Sequence, residues 1–204
     1  GAAAHGVRLA LELHAAGGLE LLGQGVDDPV ELSVHRVSTA LELQEAMQRL
    51  SREADVVVMA AAVADFRPAE IAESKIKKTD DDNDAPTIVL TRNPDILRGL
   101  VQARDDSGRE QLIVGFAAET GDATSSVLEY GRAKLARKGC EMLVVNEVGT
   151  DKVFGRDETA VTILFADGRP AVETVGSKDQ AAAAVVQAIV DDLAGRDPAG
   201  ASGR

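Results

Sequence analysis

A mostly parallel α/β sheet, covered on both faces and closed late by an antiparallel hairpin, is the fold this sequence predicts. Three observations carry the expectation. Asp55–Ala61 and Gln111–Phe116 are largely continuous apolar runs, the mark of strands buried on both faces. Segments with helical spacing lie between such runs, which is the alternation of a layered α/β domain. Late in the chain, Asp167-Gly168 separates two strand-like segments, a standard hairpin signal. The arrangement is three-layered and Rossmann-like. Aromatic residues make up 2% of the chain and tryptophan is absent, so Ala, Val, Leu and Ile must fill the core.

The elements follow in order. Val7–Ala16 is apolar at helical spacing, and Gly17-Gly18 would end that helix. Val30–Val37 reads as a strand. Thr39 and Glu42 form a capping box for a helix through Leu50. Asp55–Ala61 is the clearest strand. The lysine segment Lys75-Ile76-Lys77-Lys78 and the run Thr79–Asp84 form a polar loop, and Thr87–Leu90 is a short strand. Asn93-Pro94-Asp95 opens a helix, with Asn93 as cap and Pro94 in the first turn. Gln111–Phe116 is a strand, Thr124–Lys138 a helix closed by Gly139, and Met142–Val145 a strand ending at Asn146. Ala160–Phe165 and Ala171–Val175 flank the hairpin turn. Ser177 caps a final helix ending near Ala194. One domain over 1–194 and a flexible tail over 195–204 are expected.

Composition narrows the function. The net charge of −12 argues against general nucleic-acid or membrane-surface binding, because both need a basic face. The single cysteine, Cys140, forms no internal disulfide and suits a reducing cytoplasm. No apolar run approaches the ~18 residues of a spanning helix. Gly1-Ala-Ala-Ala-His5 lacks the order of a signal peptide, and with no initiating Met the chain reads as a piece of a longer protein.

Two strand ends stand out. Val56–Met59 runs into Ala60-Ala61-Ala62-Val63-Ala64 and then Asp65. Gly115-Phe116-Ala117-Ala118-Glu119-Thr120 repeats the design: apolar run, small residues, acid. Small residues at a strand end let a ligand lie against the backbone, and two such ends in one sheet make the walls of one cleft. Phe116 has a core role as its default. Lys134 and Lys138 are four apart and share a helix face. Spacing alone reads them as a solvated helix end, and Lys75, Lys77 and Lys78 as solubilising a loop. If helix and loop meet over the same strand ends, five ammonium groups converge on a polyphosphate.

Several sharper patterns fail. Asp80-x-Asp82-x-Asp84 begins like a calcium loop but has Ala85 where glycine is needed and Thr91 in place of the bidentate Glu. Gly23-x-Gly25 is followed by Asp28, so the dinucleotide fingerprint is incomplete. Cys140 has no zinc-spaced partner, and His5, His14 and His35 join no recognisable triad.

Taken together, the motifs resemble the synthetase part of bacterial phosphopantothenoylcysteine synthetase, from about Val37 to Leu193. They are Ala60–Arg67, Lys75–Lys78, Asn93–Leu97, Gly115–Thr120, Lys134-x-x-x-Lys138 and Asn146. The resemblance implies a CTP-dependent ligase of coenzyme A biosynthesis. 4′-Phosphopantothenate and CTP give an acyl-cytidylate and pyrophosphate, and the amine of cysteine then releases CMP. It implies that Lys75 is catalytic and, with Lys134 and Lys138, holds the triphosphate alongside Mg²⁺. It also implies that Met59, Ala60, Ala61, Asp65, Pro94, Asp95, Ile96, Leu97 and Phe116 line the nucleotide site. Metal ligands stay unassigned. A homodimer through the late antiparallel strands is expected.

The same resemblance implies an N-terminally incomplete chain. The family's opening strand, its Gly-Thr-x-Glu segment and its Asn-x-Ser-Ser-Gly loop do not occur here. The flavin-dependent decarboxylase that bacteria commonly fuse upstream is expected in the parent protein. Two other readings stay open: a non-catalytic dimerisation or nucleotide-binding piece of that enzyme, and a nicotinamide-dependent oxidoreductase on a Rossmann-like sheet.

Overall fold

In the computed structural model, the described residues are 9–11, 33–70, 87–119, 126–147 and 158–196, with backbone alone at 9–11, 147 and 158. A six-stranded sheet organises them. Its strands are β1 (Leu9–Leu11), β2 (Val56–Met59), β5 (Leu112–Glu119), β6 (Met142–Glu147), β7 (Glu158–Phe165) and β8 (Val172–Ser177), adjacent in that order. The first four are mutually parallel, and β7 and β8 are antiparallel. A separate two-stranded antiparallel sheet pairs β3 (Phe66–Pro68) with β4 (Leu90–Arg92). Helices are α1 (Ala40–Leu50), α2 (Ile96–Ser107), α3 (Val127–Lys138) and α4 (Lys178–Arg196).

Strand side chains alternate between faces, and both faces are covered. Val57, Met59, Ile113, Leu143, Val145 and Leu164 meet Leu43 and Met47 of α1, Ile96, Leu97, Leu100 and Val101 of α2, and Leu135 of α3. Val56, Val58, Leu112, Val114, Met142, Val144 and Ile163 meet Ala181, Val185, Ala188 and Ile189 of α4. The buried positions of α4 recur every three to four residues, the stripe a helix needs to cover a sheet. The expected three-layer, mostly parallel architecture with a late hairpin is therefore what the chain adopts.

Local signals decided many boundaries. Thr39 and Glu42 form both halves of the capping box on α1. Ser126 and Glu129 form another on α3, so that helix begins at Val127 rather than Thr124. Gly139 closes α3 at φ +75°, a conformation that costs other residues steric strain. Ser177 accepts from the Gln180 backbone N–H at 3.2 Å and starts α4, which reaches Arg196, into the expected tail.

Other expectations are corrected. Within the stretch expected as a helix, Leu9–Leu11 is a strand, because its backbone pairs in parallel with Val56–Val58. A short apolar run is helix or strand according to the partners tertiary structure offers. Residues 33–38 have no regular structure, so the strand expected at Val30–Val37 is absent among the described residues. The strand expected at Thr87–Leu90 lies at Leu90–Arg92, where Phe66–Pro68 gives it a partner. Asn93 is not a cap: Asp95 is, its carboxylate accepting from the Arg98 N–H at 3.2 Å.

The amino end of the sheet is tied by polar side chains. Buried Gln111 donates to the carbonyls of Ser51 at 2.6 Å and Ala54 at 2.5 Å. Arg104 pairs with Glu141, whose second oxygen accepts from the Ile113 N–H at 2.8 Å.

Candidate functional site

The carboxyl ends of β2, β5 and β6 lie side by side. Met59 is opposite Gly115, Phe116 opposite Val144, and Ala118 opposite Asn146. The two strand ends with small residues are thus neighbours, as the cleft reading expected. Met59 is buried; Ala60 and Ala61 leave the sheet half-buried and pack on opposite core faces. Asp65 is exposed on the connection that follows.

Gly115 lets α2 come close. A Cβ there would lie 2.6 Å from Leu97 Cδ2 and 3.1 Å from Leu143 Cδ1. The α2 N-terminus consequently stands beside β5. Pro94 is half-buried and Asp95 exposed, whereas the Ile96 and Leu97 side chains belong to the core. These last two offer a ligand their backbone N–H groups at a helix start, where partial positive charge favours anions. Phe116 does not take its default core role; it is 37% exposed near the end of β5.

Lys134 and Lys138 run from α3 toward these segments. Lys134 Nζ lies 2.6 Å from Glu119 Oε1 at the end of β5, and Lys138 Nζ lies 2.6 Å from Asp95 Oδ2 at the start of α2. Their side chains are 27% and 18% exposed, so neither is the solvated helix-end lysine that spacing alone suggests. Burial acts to raise the pKa of Asp95. The hydrogen bonds from Lys138 and the Arg98 N–H, with both positive charges, outweigh it and hold the carboxyl below its ordinary value.

One polar knot connects the β2 and α2 segments. Asn93 Nδ2 donates to the Ala64 carbonyl at 2.8 Å, and the Asn93 N–H donates to the Asp65 carbonyl at 2.8 Å. Arg67 Nη1 donates to Asn93 Oδ1 at 3.2 Å and to the Arg92 carbonyl at 2.5 Å. Glu119, Asn93 and Arg67 are members of this region that spacing did not single out as site residues. The acid that ends the β5 motif was the one available signal for Glu119. Lys75, Lys77, Lys78 and Thr120 lie outside the described residues, so the convergence of five ammonium groups is not visible.

Two chemistries are poorly served. The Cys140 thiol is fully buried, and burial pushes its pKa up to about 11, which removes the thiolate a nucleophile needs. Among the described residues, no three His, Cys, Asp or Glu side chains gather as a metal cage. Mg²⁺ needs no such cage, because it keeps several waters and takes phosphate oxygens with one or two carboxylates. Separate carboxylates such as Asp65 and Asp95 fit an ion arriving on a polyphosphate.

The family described as the DNA/pantothenate metabolism flavoprotein C-terminal domain matches residues 3–193. The chain belongs to that family. The coenzyme A biosynthesis bifunctional protein CoaBC of Mycobacterium tuberculosis (strain ATCC 25618 / H37Rv) is 49% identical over 173 residues, covering 84% of this chain and 41% of that protein. The protein of the same name from Vibrio parahaemolyticus is 39% identical over 154 residues, 72% of this chain and 37% of that one. The chain thus spans about two fifths of the length of the curated relatives it matches. The DNA/pantothenate metabolism flavoprotein from Streptococcus pneumoniae shares the fold at a TM-score of 0.60 and 14% identity, covering 81% of this chain and 76% of that one. The family match contains the stretch of the motif resemblance, about Val37 to Leu193, and begins earlier, at residue 3.

Proposed function

We propose that this chain is the nucleotide-handling ligase domain that joins 4′-phosphopantothenate to cysteine at the expense of CTP. Family membership supports the reaction class, and the bifunctional relatives carry names from coenzyme A biosynthesis. The observation that carries the reading is the pair of lysine–carboxylate contacts at the carboxyl end of the sheet. Both lysines face anionic oxygens, and phosphate oxygens are chemically equivalent partners.

A carboxylate is a poor electrophile until one of its oxygens belongs to a leaving group. In the proposed first step an oxygen of the pantothenate carboxylate attacks the α-phosphorus of CTP, and the bond to pyrophosphate breaks. In the second, the cysteine nitrogen attacks the acyl carbon, CMP leaves with the bonding pair, and the amine loses a proton. Lys134 and Lys138 exchange Glu119 and Asp95 for phosphate oxygens and offset the charge that builds on the departing pyrophosphate. Lys75 is assigned the same work at the reacting phosphate. Asp65 or Asp95 would hold the Mg²⁺ that accompanies CTP, and the ion would supply neutralising charge to the triphosphate. Ala60 and Ala61 let the nucleotide approach the backbone, and the partly exposed Phe116 gives it a ring to stack on. The N–H groups of Ile96 and Leu97 at the α2 start receive its anionic portion.

The wider setting belongs to the same proposal: a homodimer, an upstream flavin-dependent decarboxylase in the parent protein, and a cytoplasmic location. No helix among the described residues is long and apolar enough to cross a membrane. β8 at the sheet edge leaves Val172 and Val175 exposed, which supports self-association there. Sedimentation equilibrium giving only the monomer mass would remove the dimer.

Lys75→Gln tests the chemistry. Pyrophosphate release from CTP with 4′-phosphopantothenate should fall below detection while MgCTP still protects the chain. An unchanged rate would remove Lys75 from the mechanism. Activity with ATP in preference to CTP would overturn the nucleotide assignment.

A further inference from the structure

Asn93 precedes Pro94, and the proline ring holds the preceding backbone extended. The helix cap is supplied two residues later by Asp95, so the Asn93 side chain is free for other work. It reaches across to a segment 29 residues away, donating from Nδ2 to the Ala64 carbonyl at 2.8 Å. Its own N–H donates to the Asp65 carbonyl at 2.8 Å, and Arg67 donates to its Oδ1 at 3.2 Å. Donor and acceptor of one short amide are both engaged. Aspartate lacks that donor and serine lacks the reach.

The two segments it joins are the ones assigned above to the nucleotide. Ala60–Asp65 leaves the tip of β2, and Pro94–Leu97 opens α2 immediately after Asn93. We propose that Asn93 is a positioning residue for nucleotide binding: it sets the spacing between the β2 tip and the α2 N-terminus so that one ligand meets both. The proposal rests on the nucleotide reading of this site. A ligand spanning two loosely held segments must order them on binding, and that cost comes out of its affinity. A ligand held by the α3 lysines and the α2 start, without touching the β2 tip, bears no such cost.

Asn93 is half-buried and outside the core clusters, and β3 and β4 stay paired through Phe66 and Arg92 without its side chain. Asn93→Ala should therefore fold. The backbone bond from residue 93 to Asp65 survives the substitution, so the joint loosens rather than opens.

The test is calorimetric titration of the 204-residue chain and of Asn93→Ala with MgCTP and, separately, with Mg-pyrophosphate. Urea unfolding and amide exchange over residues 61–66 are measured on the same samples. We expect MgCTP to bind the variant about ten- to a hundredfold more weakly. Pyrophosphate affinity and the unfolding midpoint should stay unchanged, and exchange at residues 61–66 should quicken. Equal loss for both ligands, or a lowered midpoint that accounts for the loss, would overturn positioning in favour of a purely structural role. Unchanged MgCTP affinity with normal binding by the parent would overturn the positioning role alone. No binding of either ligand by the parent would overturn the nucleotide reading and this inference with it, whereas the exchange rates would still report whether the joint exists.

Discussion

The two ends of the parallel sheet both carry polar and charged side chains, and they use them differently. At the amino end, Gln111 and Glu141 bond backbone groups: Gln111 takes two carbonyls, and Glu141 takes the Ile113 N–H while facing Arg104. At the carboxyl end, among the described residues, Lys134 and Lys138 bond the carboxylates of Glu119 and Asp95. A side chain that satisfies a buried backbone group cannot leave without stranding it, which costs about 1–3 kcal/mol. A lysine paired with a carboxylate that keeps some contact with water, as Glu119 does at 18% and Asp95 at 44% exposure, can trade it for another anion, because water takes the released acid. The first end is a clamp, and the second, on the proposed reading, exchanges its partners.

The largest expected effect separates the ends by function. The double variant Lys134→Gln, Lys138→Gln removes two charge-assisted contacts, each worth about 1.5–3 kcal/mol when fully made to a ligand. MgCTP affinity should fall at least a hundredfold. Stability should change by less than about 1 kcal/mol for the Lys138 pair, whose Asp95 is 44% exposed, and by about 1–3 kcal/mol for the more enclosed Lys134–Glu119 pair. Calorimetry and urea denaturation on one preparation check both halves. Retained affinity would mean that these lysines do not face the nucleotide.

The converse variant sharpens the contrast. Glu141→Gln keeps the size but weakens the contacts to Arg104 and Ile113, and should cost about 1–3 kcal/mol of stability. MgCTP affinity should stay within about twofold. Buried Cys140, the neighbour of Glu141, supplies the readout, since its thiol should react with a disulfide reagent only when this end opens. Faster labelling with unaltered nucleotide binding is the expected pattern. A large loss of binding would mean that the two ends are coupled.

This difference also explains what was legible in the sequence. The capping box of Thr39 and Glu42, the Gly139 stop and the Asp167-Gly168 turn each depend on residues within a few positions, and all three read correctly. The buried runs of β2, β5 and β6 were equally plain, because strands covered on both faces have no polar alternation to confuse them. Leu9–Leu11 misled because its strand identity comes from pairing with Val56–Val58, far along the chain. Asn93 misled for a subtler reason. Asparagine and aspartate both cap helices, and only the three-dimensional path shows Asp95 reaching Arg98 while Asn93 reaches Ala64. The partners of Lys134 and Lys138 lie 15 and 43 residues away, so no local pattern announced them. That the chain carries two similar small-residue strand ends was legible, but what holds the lysines beside them was not.

The smallest expected effect tests whether the Lys138–Asp95 contact is ionic in solution. Burial alone would raise the Asp95 pKa, but Lys138 and Arg98 bring it below its ordinary value of 3.8. A depressed carboxyl pKa contributes stability above the unfolded value, and that contribution fades as pH falls through the folded value. The parent should therefore lose its small advantage over Lys138→Gln progressively as pH falls below about 4, with the gap constant above about pH 5. Asp95 is 44% exposed, so solvent screening keeps that gap well under 1 kcal/mol, and precise urea midpoints are needed to see it. A gap that persists undiminished at pH 2 would mean that Lys138 stabilises the fold through its methylene stem rather than its charge. Exchange for a phosphate would then no longer be a like-for-like substitution. A gap that closes with acid would support the view that the carboxyl end holds its lysines by charge alone, in readiness for an anion.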